Sequence, residues 1–158
     1  MQKITTFLWF DGQAAEAVNF YTSIFKNAKR GPIAHYGDAG PMPKGTVLTA
    51  SFEIEGLEFV ALNGGPQYHF TPAISFAVNC DTQEEIDELC EKLSAGGEEK
   101  IQCGWLTDKY GISWQIVPRT LGAMVQDPDP ARSNRVMTAL MQMRKLDISA
   151  LKRAYEQQ

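Results

Sequence analysis

Two stretches of this chain can be laid over one another without a gap. Gly56-Leu-Glu-Phe-Val-Ala-Leu-Asn63 and Gly111-Ile-Ser-Trp-Gln-Ile-Val-Pro118 share a leading turn glycine and carry large apolar residues at matching steps. A repeat of this kind constrains the architecture before any motif does, because each copy is one supersecondary unit. The elements ahead of each stretch recur as well. Residues 4–10 read as a strand broken by Asp11-Gly12, and Ala14, Ala17, Val18, Tyr21, Ile24 and Phe25 then fall on one helical face. Residues 29–36 form a further strand, and residues 46–54 and 57–63 form a hairpin about Glu55-Gly56.

After a connector opened by Gly64-Gly65-Pro66, the order restarts. Residues 73–79 alternate as a strand does, and Thr82 with Glu85 makes a capping box. Ile86, Leu89, Cys90 and Leu93 share a helical face that Gly96-Gly97 ends. Residues 98–101, 104–107 and 112–117 are three more strands. The expected fold class is therefore α+β, a single domain over 1–158 built from two tandem βαβββ modules, 1–65 and 66–120, whose strands form a curled mixed sheet. A helical C-terminal extension, 121–158, follows. Neither half could bury an open sheet alone, which is a physical reason for the duplication. In the extension, Asp129-Pro130 is an N-cap with proline at the first helical position, ahead of a stripe of Val136, Ala139, Leu140 and Met143. Asp147 caps a last helix with Ile148, Leu151 and Tyr155 facing inward, so the extension is expected to cover apolar surface on the sheet or on a second subunit.

Charge removes several partner classes. The formal net charge is -4 and the isoelectric point about 5.2, without a block of basic residues, which speaks against nucleic acid and anionic membranes. No apolar stretch approaches the roughly 20 residues of a membrane span, and the chain enters a strand pattern without a signal peptide, so a cytoplasmic location is expected. Cys80, Cys90 and Cys103 are odd in number and form no CxxC, which suits reduced thiols.

Three segments carry a resemblance: 7–21 (FLWFDGQAAEAVNFY), 61–66 (ALNGGP) and 103–118 (CGWLTDKYGISWQIVP). They are similar, in type, order and spacing, to signatures of the PhnB-like branch of the glyoxalase/bleomycin-resistance, or vicinal-oxygen-chelate, superfamily. The resemblance implies strands curled into a cup that holds a small molecule, and assembly as a homodimer. Many members are called demethylubiquinone methyltransferases, yet the chain lacks a glycine-rich loop after its first strand of the kind that holds S-adenosylmethionine. Superfamily enzymes hold a divalent metal with His or Glu on the first and last strands of each module. Counting four residues from each turn glycine gives Val60 and Gln115, and the first-strand positions fall at Thr5 or Thr6 and at Ala73 or Ser75. None is an imidazole, carboxylate or thiol, so no metal and no other cofactor is expected.

Gln115 is instead suited to hydrogen-bonding a ligand. Because Trp114 and Gln115 cannot share a face of one strand, Gln115 is expected toward the cup and Trp114 toward the helix, with Trp9 and Trp105 beside the ligand. Thr6, Ser75 and Asn63 complete the candidate set, Asn63 being equally a turn former. Asp108 reads as an acid or base, or as a turn residue bonded to its own backbone. Cys103 reads as a nucleophile without an evident activating partner. His35 and His69 read as surface residues. The first expectation is a metal-independent small-molecule binding protein, and the second an enzyme, either a metal-dependent lyase, isomerase or dioxygenase with ligands at positions other than those counted, or a metal-free catalyst using Gln115, Cys103 or Asp108. In a third, the aromatic and methionine-rich faces serve only dimerisation.

Overall fold

The computed structural model describes residues 2–98 and 100–157. Contacts divide the chain into two units, residues 1–70 and 71–158. The division falls within the connector that follows Gly64-Gly65.

The first unit runs β1 (Thr6–Phe10), α1 (Ala14–Ile24), β2 (Ala28–His35), β3 (Val47–Ile54) and β4 (Leu57–Asn63), the βαβββ order read from the sequence. Its sheet has the order β1-β4-β3-β2, with β1 parallel to β4 and the other pairs antiparallel. Glu55 (φ 52°) and Gly56 (φ 79°) both adopt left-handed backbone, the geometry of a tight two-residue hairpin. Alternation along the strands sends Leu8, Phe10, Phe52, Phe59 and Ala61 to one face, under α1, where all are buried. Tyr21 on α1 stacks on Phe52, and Phe52 stacks on Phe59. Side chains of this size are worth about 1.5–3 kcal/mol each when buried. Replacing Phe52 by alanine would open the centre of this layer.

The second unit runs β5 (Ser75–Cys80), α2 (Gln83–Ser94), β6 (Trp105–Thr107) and β7 (Ser113–Pro118), in a mixed sheet of order β5-β7-β6. The expected capping box starts α2: Thr82 accepts from the N–H of Glu85, and the Glu85 carboxylate accepts from the N–H of Asp81. Ile86, Leu89, Cys90 and Leu93 are buried beneath it, and Gly96 (φ 76°) follows the helix end. The strand expected at 98–101 is not formed by the described residues there, and Glu99 lies outside them. Gln102 instead makes an isolated bridge to Trp105, a tight reversal that leaves β6 only three residues long.

The extension comprises α3 (Leu121–Val125), α4 (Pro130–Met141) and α5 (Ile148–Glu156). Asp129 and Asp147 cap α4 and α5 as expected, accepting from Ala131 N and Ala150 N, each at 3.0 Å. Val136, Leu146 and Leu151 form a cluster with Met124, against which Val117, Ala139, Leu140, Met143 and Tyr155 pack. The extension is latched to the body of its unit through backbone. Cys103 N donates to Met143 O and Gly104 N to Arg144 O, while Gln83 bonds both Leu146 O and Ile148 N. Among the described residues no helix is long and apolar enough to cross a membrane.

Candidate functional site

The second unit has one sheet face covered by α2 and one open. Trp114 and Ile116 are buried on the covered side, and the Trp114 indole donates to Asp108 Oδ2 at 2.9 Å. Alternation therefore turns Ser113, Gln115 and Val117 to the other side, where Ser113 is buried and Gln115 and Val117 are half-buried. Register extends that face across the sheet. Ser113 stands opposite Ser75 on β5 and Thr107 on β6, and Gln115 stands opposite Ala77 and Trp105. Gln115 Nε2 donates to Ser75 Oγ at 2.9 Å, so two candidates 40 residues apart in sequence are joined here. Trp105 is 36% exposed. Asn79 is also exposed on this side, and Val117 abuts the cluster of the extension, which closes that end. None of these side chains is charged. Thr107 and Ser113 were not singled out from the sequence, although counting by twos from Trp105 and Gln115 reaches both.

The open face of the first unit differs. Phe7 stands opposite Val60, Ser51 opposite Val60 on the other side, and Glu53 opposite Glu58. These residues, with Thr5, Lys29 and Pro32, line a depression of about 480 Å³. Lys29 Nζ lies 3.4 Å from Glu53. Phe7 is 58% exposed. The two copies of the repeat thus share a backbone plan but present different surfaces, apolar and charged in one and polar and neutral in the other.

The donor set at the positions implied for a metal does not fit one. Gln115 and Ser75 offer an amide and a hydroxyl already bonded to each other, Thr5 or Thr6 offers only a hydroxyl, and Val60 offers nothing. Among the described residues no three His, Cys, Asp or Glu converge.

Several candidates sit elsewhere. Thr6 pairs with Phe59 and so has the parity of the helix-covered face; Thr5 has the open-face parity. Asn63 is 6% exposed and structural: its Oδ1 accepts from Ala14 N at 2.9 Å and its Nδ2 donates to Val47 O. It thereby supplies the N-terminal cap that Gln13 does not give α1. Trp9 has open-face parity, yet its indole donates to Gly65 O and its ring packs edge-on against Tyr68. A Cβ on Gly64 would fall 2.3 Å from the Trp9 ring, so glycine is required there. Asp108 is 2% exposed and accepts from Tyr110 N, Ile112 N and Trp114 Nε1, which makes it the anchor of a turn and of a tryptophan. Cys103 is half-buried in left-handed backbone (φ 54°) beside the latch. Burial pushes the Cys80 thiol up to about 12 and the Cys90 thiol up to about 11. His35 and His69 are exposed.

Residues 2–117 match the family described as 3-demethylubiquinone-9 3-methyltransferase. The chain belongs to that family. A Bacillus cereus protein described as a putative 3-demethylubiquinone-9 3-methyltransferase, PhnB protein, is 41% identical over 73% of this chain and 99% of its own, with a TM-score of 0.63. A Pseudomonas aeruginosa protein is 19% identical over 75% of this chain and 98% of its own, with a TM-score of 0.61, a likeness of fold. A fosfomycin resistance protein of Listeria monocytogenes is 19% identical over 73% of this chain and 90% of its own, with a TM-score of 0.48. No curated protein matches the chain. The family match stops before α3, so the helical extension lies beyond the part this member shares with the family model.

Proposed function

We propose that this PhnB-like protein binds a small organic molecule on the open face of its second sheet without a metal. The observation that carries this reading is the Gln115–Ser75 hydrogen bond. It joins an amide and a hydroxyl diagonally across β7 and β5 on an open sheet face, beside the half-exposed Trp105, where superfamily enzymes would place metal ligands. A ligand there can stack on the indole and be oriented by a few neutral hydrogen bonds, the usual composition of a small-molecule site. The second Nε2 hydrogen and the Oε1 of Gln115 are the groups that would meet it.

The methyl transfer in the family's description draws no support from the glycines of this chain. Gly64 is filled by the Trp9 ring, and a Cβ on Gly97 would meet Thr107 O at 2.6 Å, so both serve packing. In the same reading the protein acts as a homodimer in the cytoplasm, consistent with its acidic charge and three free thiols.

The test is native mass spectrometry of untagged protein for a retained small molecule, followed by calorimetric titration of that molecule into wild type and Gln115→Ala. The reading expects saturable binding that weakens by about tenfold, or about 1.4 kcal/mol, in the variant. Equal binding by both proteins would remove Gln115 and the face it defines.

A further inference from the structure

We infer that the depression on the open face of the first sheet binds an organic cation, an ammonium or guanidinium group carried on an apolar body. This goes beyond the reading above and does not depend on it. β2 slips in register between Arg30 and Ile33, where Gly31 lies against the neighbouring strand: a Cβ on Gly31 would stand 3.2 Å from Ser51 Cβ. An irregularity of this kind at a sheet edge bends the strand and breaks the regular pairing. Here it accompanies a depression of about 480 Å³, lined by Phe7, Pro32 and Val60 as well as by Glu53 and Glu58. That size is ordinary for a small-molecule site.

The charges in the depression are arranged at a cost. Glu53 on β3 stands directly opposite Glu58 on β4, and both have the parity opposite to Phe52 and Phe59, which are buried under α1. Like charges in this position destabilise a strand pair. Lys29 answers Glu53 at 3.4 Å, while among the described residues no cation pairs with Glu58. Arg30 also borders the depression, but it pairs with Phe52 and donates to Asn19 on α1, so its charge lies on the helix side. The open face is left with two carboxylates and one ammonium. Beside them the exposed Phe7 ring offers an apolar surface whose π face also attracts a cation.

These features decide the class of ligand. An anion would meet the two carboxylates at close range, and a neutral ring would leave their repulsion in place. A metal ion would find only two carboxylates, since no three His, Cys, Asp or Glu converge among the described residues. An organic cation answers both parts of the depression: its charged group relieves the Glu53–Glu58 opposition, and its apolar body covers Phe7, Val60 and Pro32.

The experiment uses the full-length protein and three probes that share a ring and differ in charge: 2-phenylethylamine, 2-phenylethanol and 3-phenylpropanoate. Binding is read from saturable shifts of the Glu58 and Val60 backbone amide signals in nitrogen–proton correlation spectra. The inference expects the amine to bind at least about fivefold more tightly than the alcohol, and the propanoate most weakly. Glu58→Gln should erase most of the amine's advantage and leave the alcohol unchanged, with a melting temperature equal or higher because a like-charge opposition is removed. Phe7→Ala should weaken the amine and the alcohol alike. Equal binding of amine and alcohol, or a preference for the propanoate, would overturn the ligand class. An amine advantage that survives Glu58→Gln would overturn the role of the opposed carboxylates. Signals that none of the three probes moves would overturn the site itself, and because they report on the first sheet they would leave the reading of the second standing.

Discussion

Replacing Asp108 by asparagine separates a structural carboxylate from a catalytic one, because the two side chains have nearly the same shape. In the structure Asp108 Oδ1 accepts from Tyr110 N at 2.9 Å and Ile112 N at 3.0 Å, and Oδ2 accepts from Trp114 Nε1 at 2.9 Å. Every donor on this carboxylate points a hydrogen at it. Asparagine can keep one oxygen toward the two backbone groups, but its NH2 then faces the indole N–H, donor against donor. If the amide flips, the two backbone groups meet the NH2 instead. The smaller loss is one charge-assisted bond, worth about 1.5–3 kcal/mol, plus weakening of the remaining two as the charge is removed. A loss of about 2–3 kcal/mol lowers the melting temperature of a chain of this length by roughly 5–10 °C. Thermal denaturation followed by calorimetry measures it. In a Trp114→Phe background, which lacks the indole donor, Asp108→Asn should cost less, and the difference is the coupling between the two side chains. A melting temperature for Asp108→Asn within about 2 °C of wild type would refute the anchoring role, since it would correspond to less than about 1 kcal/mol.

Gly64→Ala should cost about 1–3 kcal/mol by forcing the Trp9 ring off its bond to Gly65, and pairing it with Trp9→Phe should recover part of the loss. Denaturant titration checks this; equal penalties in both backgrounds would argue against the contact. One thiol per native chain should react with Ellman's reagent at about pH 8, and Cys103→Ser should abolish it, because burial holds the Cys80 and Cys90 thiols protonated. Reaction of two or three thiols without unfolding would contradict that burial. Asp87 is held below the ordinary carboxylate range by its bond from Lys145 and then by Gln83, and Asp127 by its bond from the Tyr155 hydroxyl and then by Asp129 N. Depressed folded values mean that this stabilisation is present above the ordinary range and is lost as pH falls through the folded values. Hydrogen-exchange protection of α5 should therefore drop below about pH 4, ahead of β3 and β4. Simultaneous loss in all three would show that these bonds do not govern the docking of the extension.

Much of the fold can be read from local chemistry. Thr82 and Glu85, Asp129-Pro130 and Asp147 cap helices because caps depend on neighbours a few residues away, and Glu55-Gly56 turns for the same reason. The faces of β7 are legible because a period of two admits one choice, and Trp114 beside Gln115 makes it visible. The same period explains the misplacement of Thr6: a slip of one residue along β1 exchanges the faces, and the sequence does not fix that register. Asn63 looks like a strand-end turn former, and only the fold brings it to Ala14, 49 residues earlier, as a helix cap. The strand expected at 98–101 gives way to the reversal at Gln102–Trp105, with Cys103 and Gly104 in left-handed backbone and bonded to Met143 and Arg144. That latch depends on a segment some 40 residues downstream, beyond the reach of local patterning.

The central claim is that the open face of the second sheet works through neutral groups and not through a metal. Elemental analysis of untagged protein, before and after incubation with zinc, manganese, nickel and iron(II), tests it most directly. The account predicts substoichiometric metal in every sample and no change on Gln115→Ala. One tightly held metal ion per chain, lost when Gln115 is replaced by alanine, would contradict it.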